Sequence, residues 1–572
     1  MVFYFIWYNS LNRFTRKEIF LMIKIKILSS LQKCFMDESL LEKSALKNGS
    51  ALKGEDYHFV LAYTAVGAHG GRLCRDAALI CRSELDVSFE RIEHMPVRFP
   101  CYPKQNDDFY LRKKPGLYPD LLIPMEIGET VLVPNGLTFS IYGTVKIPEN
   151  AKAGDYTVTV GFSVVIGEET KEFTESFTLH VVDAVLPKQE IAVAQWVHYD
   201  CIADAHELAI FSEEHWQAIE NYLKMAVDHG INTILTPVLT PPLDTAVGGE
   251  RPTVQLVDVT KTADGYTFGF EKFRRFVALC EKLGVKNYEI SHFFTQWGAY
   301  HAPKVMATVD GEYKRIFGWG TDAASDEYVE FLRALITALL AECKALGIDK
   351  RLLFHISDEP NPEHLEQYRL DKSKIADLLA GYPIYDALSD FDFYELGVVD
   401  HPIPASDKIE PFLAANIENL WTYYCCGQWK DVSNRFLDMP LSRTRIIGGQ
   451  FWKYHIAGFL QWGYNFYYTR YSKRKIDPYV ITDGDAFAPA GDAFSVYPAP
   501  ENKPYRSLRL VAFKEALDDL SALNLAETLC GREAVLSVID SEGEMTFASY
   551  PRESSFILEM REKINRMIED KI

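Results

Sequence analysis

The chain has 572 residues, several times the usual length of one domain, so we expect two or three compact units. With 48% hydrophobic and 24% charged residues, its composition excludes a disordered or collagen-like chain. The formal net charge of -20 repels phosphate backbones, and nucleic acid is therefore not an expected partner.

Residues 1–22 are interpreted as an N-terminal extension outside the folded domains. Its first eight residues, MVFYFIWY, are too short to span a bilayer and precede no export cleavage site, while Met22 offers a second translation start. The sequence does not decide between the two starts. The ten cysteines lack the spacing of a zinc site or a disulfide framework, which is typical of free thiols in a reducing compartment. No other stretch is apolar and long enough to cross a membrane, so we predict a cytoplasmic protein that makes no membrane contact.

Residues 23–187 show the period of two that is typical of β-strands. Apolar residues alternate with polar ones, as in Tyr156, Val158, Val160, Phe162 and Val164. Turn-forming residues such as Gly, Pro and Asn separate the runs, and no long helical pattern lies between them. We predict an antiparallel β-sandwich accessory domain over 23–187, with its boundary near Pro187.

From residue 190 onwards, strand-like segments alternate with helical ones. Ser212 and Ser325 are the predicted N-caps of two helices. Eight short apolar segments are predicted strands: 191–200, 231–238, 285–294, 350–357, 382–388, 396–401, 419–426 and 458–468. Eight such units predict a (β/α)₈ TIM-like barrel as the catalytic domain, residues 190–572. A doubly wound open sheet is the alternative, but no G-x-G-x-x-G motif follows the first strand.

Two adjacent carboxylates, Asp358 and Glu359, follow the fourth predicted strand. Active sites of barrels lie at the carboxyl ends of the strands, so this pair is the candidate catalytic pair. Successive strand residues point to opposite faces, and the pair can share one pocket only if the backbone leaves the pleat, which Pro360 would allow. The alternative is a solvated loop pair or a cap for the next helix.

Polar and aromatic residues follow several of the other predicted strands. Aromatic faces bind the C–H face of a sugar, and polar tips bind its hydroxyl groups, so these residues are predicted to bind substrate. The alternative for any single one is a place in the core. The candidates are Trp196, His198, Asp200, His292, Trp297, Tyr423, Trp462, Tyr464 and Asn465.

Metal and cofactor chemistry is not predicted. His198 with Asp200, or His292 with His301, lacks the H-x-x-x-H or H-E-x-x-H spacing of a metal site. The chain also has no G-x-S-x-G elbow and no phosphate-binding loop. Paired carboxyl groups in an aromatic cleft instead favour glycoside hydrolysis.

Six segments, taken together, resemble one known family. The segments are WVHYD (196–200), HISDEP (355–360), WTYYCC (421–426), GFLQWGYNFYY (458–468), GDAFSVYP (491–498) and SLRLVAFKEALDDL (507–520). In this order they resemble glycoside hydrolase family 123 and the related bacterial proteins called domain of unknown function 4091. The resemblance covers most of 190–572, and an N-terminal β-sandwich before the barrel is also a feature of that family.

The resemblance implies a retaining exo-β-N-acetylgalactosaminidase with substrate-assisted catalysis, in which the 2-acetamido oxygen of the sugar attacks the anomeric carbon. Glu359 would be the general acid and then the base, and Asp358 would stay ionised and orient the acetamido N–H. Trp297, Tyr423 and Trp462 would form the wall of the acetamido pocket. The implied partner is an oligosaccharide or glycoconjugate with a terminal N-acetylhexosamine, and the lack of an export signal favours an imported oligosaccharide.

Two other functions stay open on the sequence. In the first, the chain is a conventional retaining glycosidase in which Asp386 or Asp400 is the nucleophile. In the second, it is a glycan-binding protein without catalysis. The sequence predicts neither the linkage nor the oligomeric state.

Overall fold

A computed structural model describes residues 22–66, 74–102, 106–166, 168–296 and 298–572. The chain forms two compact units, the first from residues up to 93 and 122–185, the second from 94–121 and 186–571. Residues 94–121, placed by the sequence prediction in the N-terminal domain, thus group with the second unit. The predicted extension lies outside the described residues except for Met22, which begins the first strand.

The first unit is built almost entirely from β-strands. Ten strands are β1 Met22–Ser29, β2 Asn48–Lys53, β3 Asp56–Val66, β4 Cys74–Arg82, β5 Asp86–Val97, β6 Gly116–Met125, β7 Thr130–Val133, β8 Phe139–Lys146, β9 Gly154–Ile166 and β10 Glu169–Val185. They form two five-stranded sheets, in the orders β1-β3-β8-β5-β6 and β2-β10-β9-β4-β7. The second sheet is not wholly antiparallel, because β2 pairs with β10 in parallel.

One hydrophobic cluster fills the space between the two sheets. The rings of Phe59 and Phe177, one from each sheet, lie 5.2 Å apart, and those of Tyr63 and Phe162 lie 4.9 Å apart. The alternation in β9 therefore puts apolar side chains into this cluster. A side chain at Gly161 would come within 1.9 Å of the Phe173 carbonyl, so this strand pairing requires glycine there.

The second unit mixes strands and helices. Its strands are β11 Ala192–Gln195, β12 Thr233–Thr236, β13 Asp258–Thr262, β14 Gly265–Gly269, β15 Asn287–Ile290, β16 Val305–Val309, β17 Glu312–Phe317, β18 Leu352–Leu353, β19 Tyr385–Ala387, β20 His401–Ile403, β21 Trp421–Tyr423, β22 Gly458–Gln461, β23 Val496–Ala499 and β24 Lys503–Arg506. The α-helices are Tyr199–Ala205, Glu213–Asp228, Glu271–Leu283, Asp326–Ala345, Leu365–Ser373, Asp392–Glu395, Glu410–Ala414, Leu441–Arg445, Ile447–Lys453, Leu508–Cys530, Arg532–Ile539 and Ser554–Glu569. Within the described ranges, no helix combines the length and apolarity that a membrane crossing needs.

Parallel strands form the centre of the second unit. Six of them make one sheet in the order β18-β15-β12-β11-β22-β21, and β19 pairs with β20 in a separate sheet. Single bridges at Phe354–Ile384 and Ala405–Tyr423 lie between the two sheets. Pro383 and Pro404, next to these bridges, have no N–H to donate, which interrupts the ladder. The α/β class is thus confirmed, whereas a continuous eight-stranded barrel is not.

All eight strands predicted for the second unit differ in their bounds from the observed ones, and two of them show why. The first predicted strand, 191–200, ends at Gln195, because a helix begins at Tyr199 and the backbone N–H of His198 is bound by Asn465. The prediction for 396–401 is wrong for most of its length, since these residues follow the helix Asp392–Glu395 as a turn and the strand begins at His401.

The helices follow the sequence pattern more closely. The Ser212 hydroxyl accepts a hydrogen bond from the backbone N–H of His215 and caps the helix Glu213–Asp228, as predicted. The helix Leu508–Cys530 packs so closely on Ile447–Lys453 that a side chain at Gly448 would come within 2.1 Å of the Ala516 carbonyl.

A fully buried ion pair attaches residues 94–121 to the rest of the second unit. Arg509 Nε and Nη2 donate to the two carboxylate oxygens of Asp120 at 2.8 and 2.9 Å, and the Tyr497 hydroxyl donates to the same carboxylate at 2.6 Å. Asp120 and Arg509 are both inaccessible to solvent. Without Asp120 the guanidinium would stay buried without its counter-charge.

We predict that Asp120→Ala destabilises the second unit by about 3–5 kcal/mol, the usual effect of removing one partner of a buried pair. Urea unfolding followed by tryptophan fluorescence measures this, because eight of the nine tryptophans follow residue 186. Glu213→Ala is the control, since its bidentate pair with Arg275 lies on the surface. Equal midpoints for the two variants would contradict the prediction.

Candidate active site

A cavity of about 290 Å³ opens where the parallel strands end. Three of its lining residues follow parallel strands: Trp196 follows β11, Gln296 follows β15 and Trp462 follows β22. The lining residues are Trp196, Leu243, Asp244, Gln296, Asp358, Glu359, Ala387, Tyr423, Cys425, Cys426, Leu460, Trp462, Arg470, Tyr471 and Phe487. The cavity therefore has apolar and aromatic walls with few polar groups, as expected of a site for a small ligand.

Asp358 and Glu359 both line this cavity. Glu359 has a φ of +45°, which is unusual for a residue with a side chain, and its N–H donates to the Ala387 carbonyl at 3.1 Å. The backbone has thus left the pleat of β18, which lets two successive side chains reach one space. Such local strain is common at functional sites.

The Glu359 carboxyl group faces the open cavity but is otherwise closely surrounded by protein. Burial raises its pKa above the usual range, while the hydrogen bond that the Tyr423 hydroxyl donates to Oε1, at 2.8 Å, acts in the opposite direction. A carboxyl group with a raised pKa can keep its proton near neutral pH, which suits a general acid.

Asp358 has a different environment. Burial and the neighbouring Glu359 charge raise its pKa, and the positive charge of His355 opposes this rise. Its carboxylate accepts no hydrogen bond from the part of the chain that the structure describes, so both oxygens are open to a ligand in the cavity. An acceptor without a protein donor suits a group that binds an N–H or O–H of the substrate.

A buried imidazole between two carboxylates lies beneath this pair. His355 Nε2 lies 2.6 Å from Oε1 of Glu289, and Nδ1 lies 3.6 Å from Oδ1 of Asp386. Asp386 also accepts hydrogen bonds from the Tyr368 hydroxyl and the Ile356 N–H. Burial lowers the pKa of His355, but the two carboxylates outweigh it and raise the pKa to about 10. The imidazole is therefore cationic at neutral pH.

Buried carboxylates also fix the two tryptophans of the cavity. Trp196 Nε1 donates to Glu289 Oε1 at 2.7 Å, and Trp462 Nε1 donates to Asp492 Oδ2 at 3.0 Å. Both indole rings are thus held at their polar edge, which leaves apolar ring surface for the cavity.

Five of the predicted substrate-binding residues do not line the cavity, and four of these are His198, Asp200, Tyr464 and Asn465. His198 and Asp200 are buried around Arg251, which donates to the Asp200 carboxylate at 2.6 and 2.7 Å and lies 3.1 Å from His198 Nδ1. Asn465 bonds both backbone groups of His198, and the Tyr464 hydroxyl donates to a backbone carbonyl. All four are placed to hold the strand ends in position.

The remaining predicted residues have mixed positions. Trp196, Tyr423 and Trp462 line the cavity, and Trp297 lies outside the described residues. His292 is buried behind the cavity, where its ring stacks on His355 at 4.5 Å. Several lining residues were missed because they come from loops without strand or helix periodicity, namely Leu243, Asp244, Arg470, Tyr471 and Phe487.

One group among the described residues has metal-ligand atoms close together: His292, His355 and Asp386. The two imidazole rings are stacked at an interplanar angle of 19°. Nitrogen lone pairs lie in the ring plane, and two nearly parallel planes that are separated by a stacking distance do not meet at one ion. The arrangement fits a hydrogen-bonded cation better than a metal centre.

One family model matches more than half of the chain. The model is described as "Glycoside hydrolase 123, catalytic domain", and it matches residues 196–526. The resemblance expected from the sequence motifs is thereby confirmed. Comparison with curated protein sequences finds no match.

Solved structures give a likeness in fold. A family 123 glycoside hydrolase from Clostridium perfringens, described in a study of glycolipid glycan hydrolysis, is 16% identical with a TM-score of 0.69 and covers 96% of this chain and 98% of its own. An endo-β-1,4-mannanase from Thermotoga petrophila is 12% identical with a TM-score of 0.34, covering 59% of this chain and 77% of its own. A β-glucuronidase from Parabacteroides merdae is 11% identical with a TM-score of 0.29, covering 86% and 51%. At these identities the first likeness shows the fold alone.

We predict that His355→Gln destabilises the second unit by about 3–5 kcal/mol at pH 6, because two buried carboxylates lose their counter-charge. The folded pKa of about 10 lies above the ordinary 6.5, so this contribution is complete below pH 6.5 and is lost as the pH rises through 10. Urea unfolding at pH 6 and pH 9 measures the change. His180→Gln, at an exposed pair with Asp155, is the control. A difference from wild type that does not shrink with rising pH would refute the buried cation.

Proposed function

Because the chain belongs to glycoside hydrolase family 123, we propose that this glycosidase releases terminal β-linked N-acetylgalactosamine with retention of configuration. The observation that carries the proposal is the pair of adjacent carboxyl groups, Asp358 and Glu359, on one aromatic cavity. The two have different partners, a tyrosine hydroxyl for Glu359 and a buried cation for Asp358. Different environments for two carboxyl groups are what a division into acid and ionised partner requires.

In the proposed reaction, Glu359 gives its proton to the glycosidic oxygen as the bond to the anomeric carbon breaks. The 2-acetamido oxygen of the same sugar attacks that carbon and forms a cyclic oxazolinium-like intermediate. Asp358 accepts the acetamido N–H and stabilises the positive charge. Glu359, now ionised, takes a proton from water as the water oxygen attacks the anomeric carbon. The bond between that carbon and the acetamido oxygen breaks, which restores the acetamido group.

The proposed role of Asp358 requires that it is ionised when Glu359 is protonated. Two neighbouring carboxyl groups on one cavity favour a single shared negative charge. The cationic His355 attracts that charge to Asp358. Burial and the charge of Glu359 act in the opposite direction and keep the pKa of Asp358 well above its usual value, so the proposed assignment also requires the acetamido N–H to stabilise the charge on Asp358.

The size and walls of the cavity support an exo-acting enzyme. A space of about 290 Å³ is at the lower end of small-ligand sites, which suits one sugar residue rather than a long chain. Trp196, Tyr423 and Trp462 are proposed to pack against the sugar and its acetamido methyl group. The proposed partner is an oligosaccharide or glycoconjugate with a terminal N-acetylhexosamine; an imported oligosaccharide and a cytoplasmic location stay predictions.

We also propose that the eight parallel strands form one (β/α)₈ barrel. The first strand, β11, pairs with the last, β22, which is the neighbour relation of a barrel and not of a doubly wound sheet. The two single bridges lie where the remaining gaps in the ring would close. One apolar cluster also includes inward side chains such as Leu235, Leu353, Ile403 and Leu460 from four different strands.

No observation favours the alternative functions. Asp386, a possible nucleophile of a conventional glycosidase, is bound by Tyr368 and Ile356 and does not line the cavity. Asp400 lies 3.5 Å from Lys372, and 69% of its side chain is exposed outside the cavity.

The first test compares an aryl β-N-acetylgalactosaminide with the matched β-galactoside. We expect cleavage of the acetamido substrate alone, because only its own oxygen can replace an enzymic nucleophile. Glu359→Gln should lower kcat/KM at least about 10³-fold on substrates with poor leaving groups, since proton transfer to the leaving oxygen is lost. Glu363→Gln, an exposed glutamate on the following turn, is the matched control.

Full activity of Glu359→Gln on the poor leaving group would remove Glu359 from the mechanism. Cleavage of the plain galactoside would favour an enzymic nucleophile. Binding of the sugar without product over long incubation would favour a binding protein.

The hydrogen bond from Tyr423 predicts a shift in pH dependence. This bond stabilises ionised Glu359, so Tyr423→Phe should raise the pKa of Glu359 further. A general acid works only while protonated, and the alkaline limb of kcat/KM should therefore move up by about one pH unit. Tyr424→Phe is the control, because this neighbouring hydroxyl is buried and has no hydrogen-bond partner among the described residues. A shift of the alkaline limb of kcat/KM to lower pH in Tyr423→Phe would contradict the role of Glu359 as the general acid.

A further inference from the structure

A basic turn forms one wall of the cavity. Arg470 and Tyr471 line the cavity, and Lys473 is exposed beside them. The turn belongs to the run RYSKRK, which has four basic residues in six, in a chain whose net charge is -20. Positive charge at this place is therefore not a consequence of the overall composition.

Arg470 and Lys473 differ from the next two cations in their partners, although the charge of Arg470 also acts on the carboxyl group of Asp244. The guanidinium carbon of Arg470 lies 4.6 Å from the centroid of the Tyr471 ring, and Lys473 Nζ lies 5.6 Å from the same centroid. Within the described ranges, no carboxylate lies in ion-pair contact with either. Arg474 and Lys475, which follow directly, are paired with Asp485 and Asp204.

Two like charges next to the same ring repel each other. The next two basic residues, Arg474 and Lys475, are neutralised by their own carboxylates and add little to this repulsion. An anion placed between Arg470 and Lys473 would remove this repulsion. The turn therefore carries positive charge that an anion would stabilise.

The backbone holds the turn in an unusual conformation. Tyr471 and Ser472 have φ of +62° and +53°, and Asp244, which contacts both, has φ of +38°. The Tyr471 N–H donates to Asp244 Oδ2 at 2.9 Å, and the Ser472 hydroxyl donates to the Asp244 carbonyl at 2.7 Å. Residues with side chains in this region cost about 1–3 kcal/mol each and persist only where other contacts fix them. The turn is thus a rigid platform that presents Arg470 to the cavity.

Two carboxyl groups of the cavity lie apart from the basic turn. Asp358 and Glu359 would repel an anionic group on the sugar that is cleaved, whereas Asp244 contacts the turn itself. Burial raises the pKa of Asp244 to about 6, against the backbone N–H of Tyr471 and the charges of Arg251 and Arg470. The cations are on the exposed side, where the next sugar of a substrate would leave the cavity.

We propose that Arg470 and Lys473 form a subsite for an anionic group, a sulfate ester or a carboxylate, on the sugar joined to the residue that is released. This subsite rests on the proposed function, because it names the substrate class of the same cavity. The planar guanidinium binds two oxygens of such a group, the ammonium adds a point charge, and the Tyr471 ring supports the apolar face of the sugar. The substrates are thus acidic glycans with a neutral terminal N-acetylhexosamine.

The test uses three disaccharides in which the same β-linked N-acetylgalactosamine is joined to a neutral hexose, to a sulfated hexose or to a hexuronic acid. For the wild type at low ionic strength, we expect kcat/KM at least tenfold higher on one of the anionic substrates than on the neutral one. This preference should fall at least tenfold in R470Q/K473Q and should shrink with added salt. Lys475→Gln, a matched loss of charge at a cation already paired with Asp204, should leave the preference within twofold.

The two anionic substrates identify the ligand. A preference for the sulfated disaccharide alone assigns a sulfate site, and a preference for the hexuronic acid alone assigns a carboxylate site. Equal kcat/KM on the neutral disaccharide and on both anionic ones would overturn the proposal. So would a preference for an anionic disaccharide that R470Q/K473Q retains.

Calorimetric binding separates this proposal from the proposed function. Binding of the anionic disaccharide to the full chain carrying Glu359→Gln needs no turnover, and it should weaken at least tenfold when R470Q/K473Q is added. If the wild type cleaves none of the disaccharides but this weakening is observed, the subsite stands and the catalytic assignment fails. If cleavage occurs and the binding does not weaken, the subsite fails alone.

Discussion

The arrangement of the cavity depends on one buried cation, the imidazole of His355 between Glu289 and Asp386. Glu289 also accepts a hydrogen bond from Trp196, and Asp386 accepts one from Tyr368. The carboxylates that neutralise His355 therefore also position one wall of the cavity and a neighbouring helix. A buried charge is tolerated only when it is paired and hydrogen-bonded, which restricts these positions together. The charge of His355 lowers the pKa of Asp358, against the larger effects of burial and of the Glu359 charge.

A similar principle recurs around the cavity. Buried partners also fix other groups around the cavity: Trp462 donates to Asp492, and Asp200 is paired with Arg251. The carboxylate of Asp358, which lines the cavity, accepts no hydrogen bond from the described residues. Preorganisation of this kind lets a site bind charge without having to reorganise first.

The sequence predicts the parts of this molecule that have a period or a position at a strand end. The alternation in β9 and the cap at Ser212 are local patterns, and Asp358 with Glu359 stand out because they follow an apolar strand. Asp244 and Arg470 are not predictable in this way, since loops far apart in the chain bring them together. The prediction that His198 binds substrate rests on its position at a strand end, and that position does not reveal that its ring faces Arg251.

The pairing of Asp120 with Arg509 also bears on how the chain folds as it is synthesised. The two residues are 389 positions apart, and Asp120 belongs to a segment enclosed between the two stretches of the first unit. On the ribosome this segment emerges long before the helix that neutralises Asp120. The second unit therefore cannot complete its core until nearly the whole chain has been translated, an order of events that sequential domain folding does not describe.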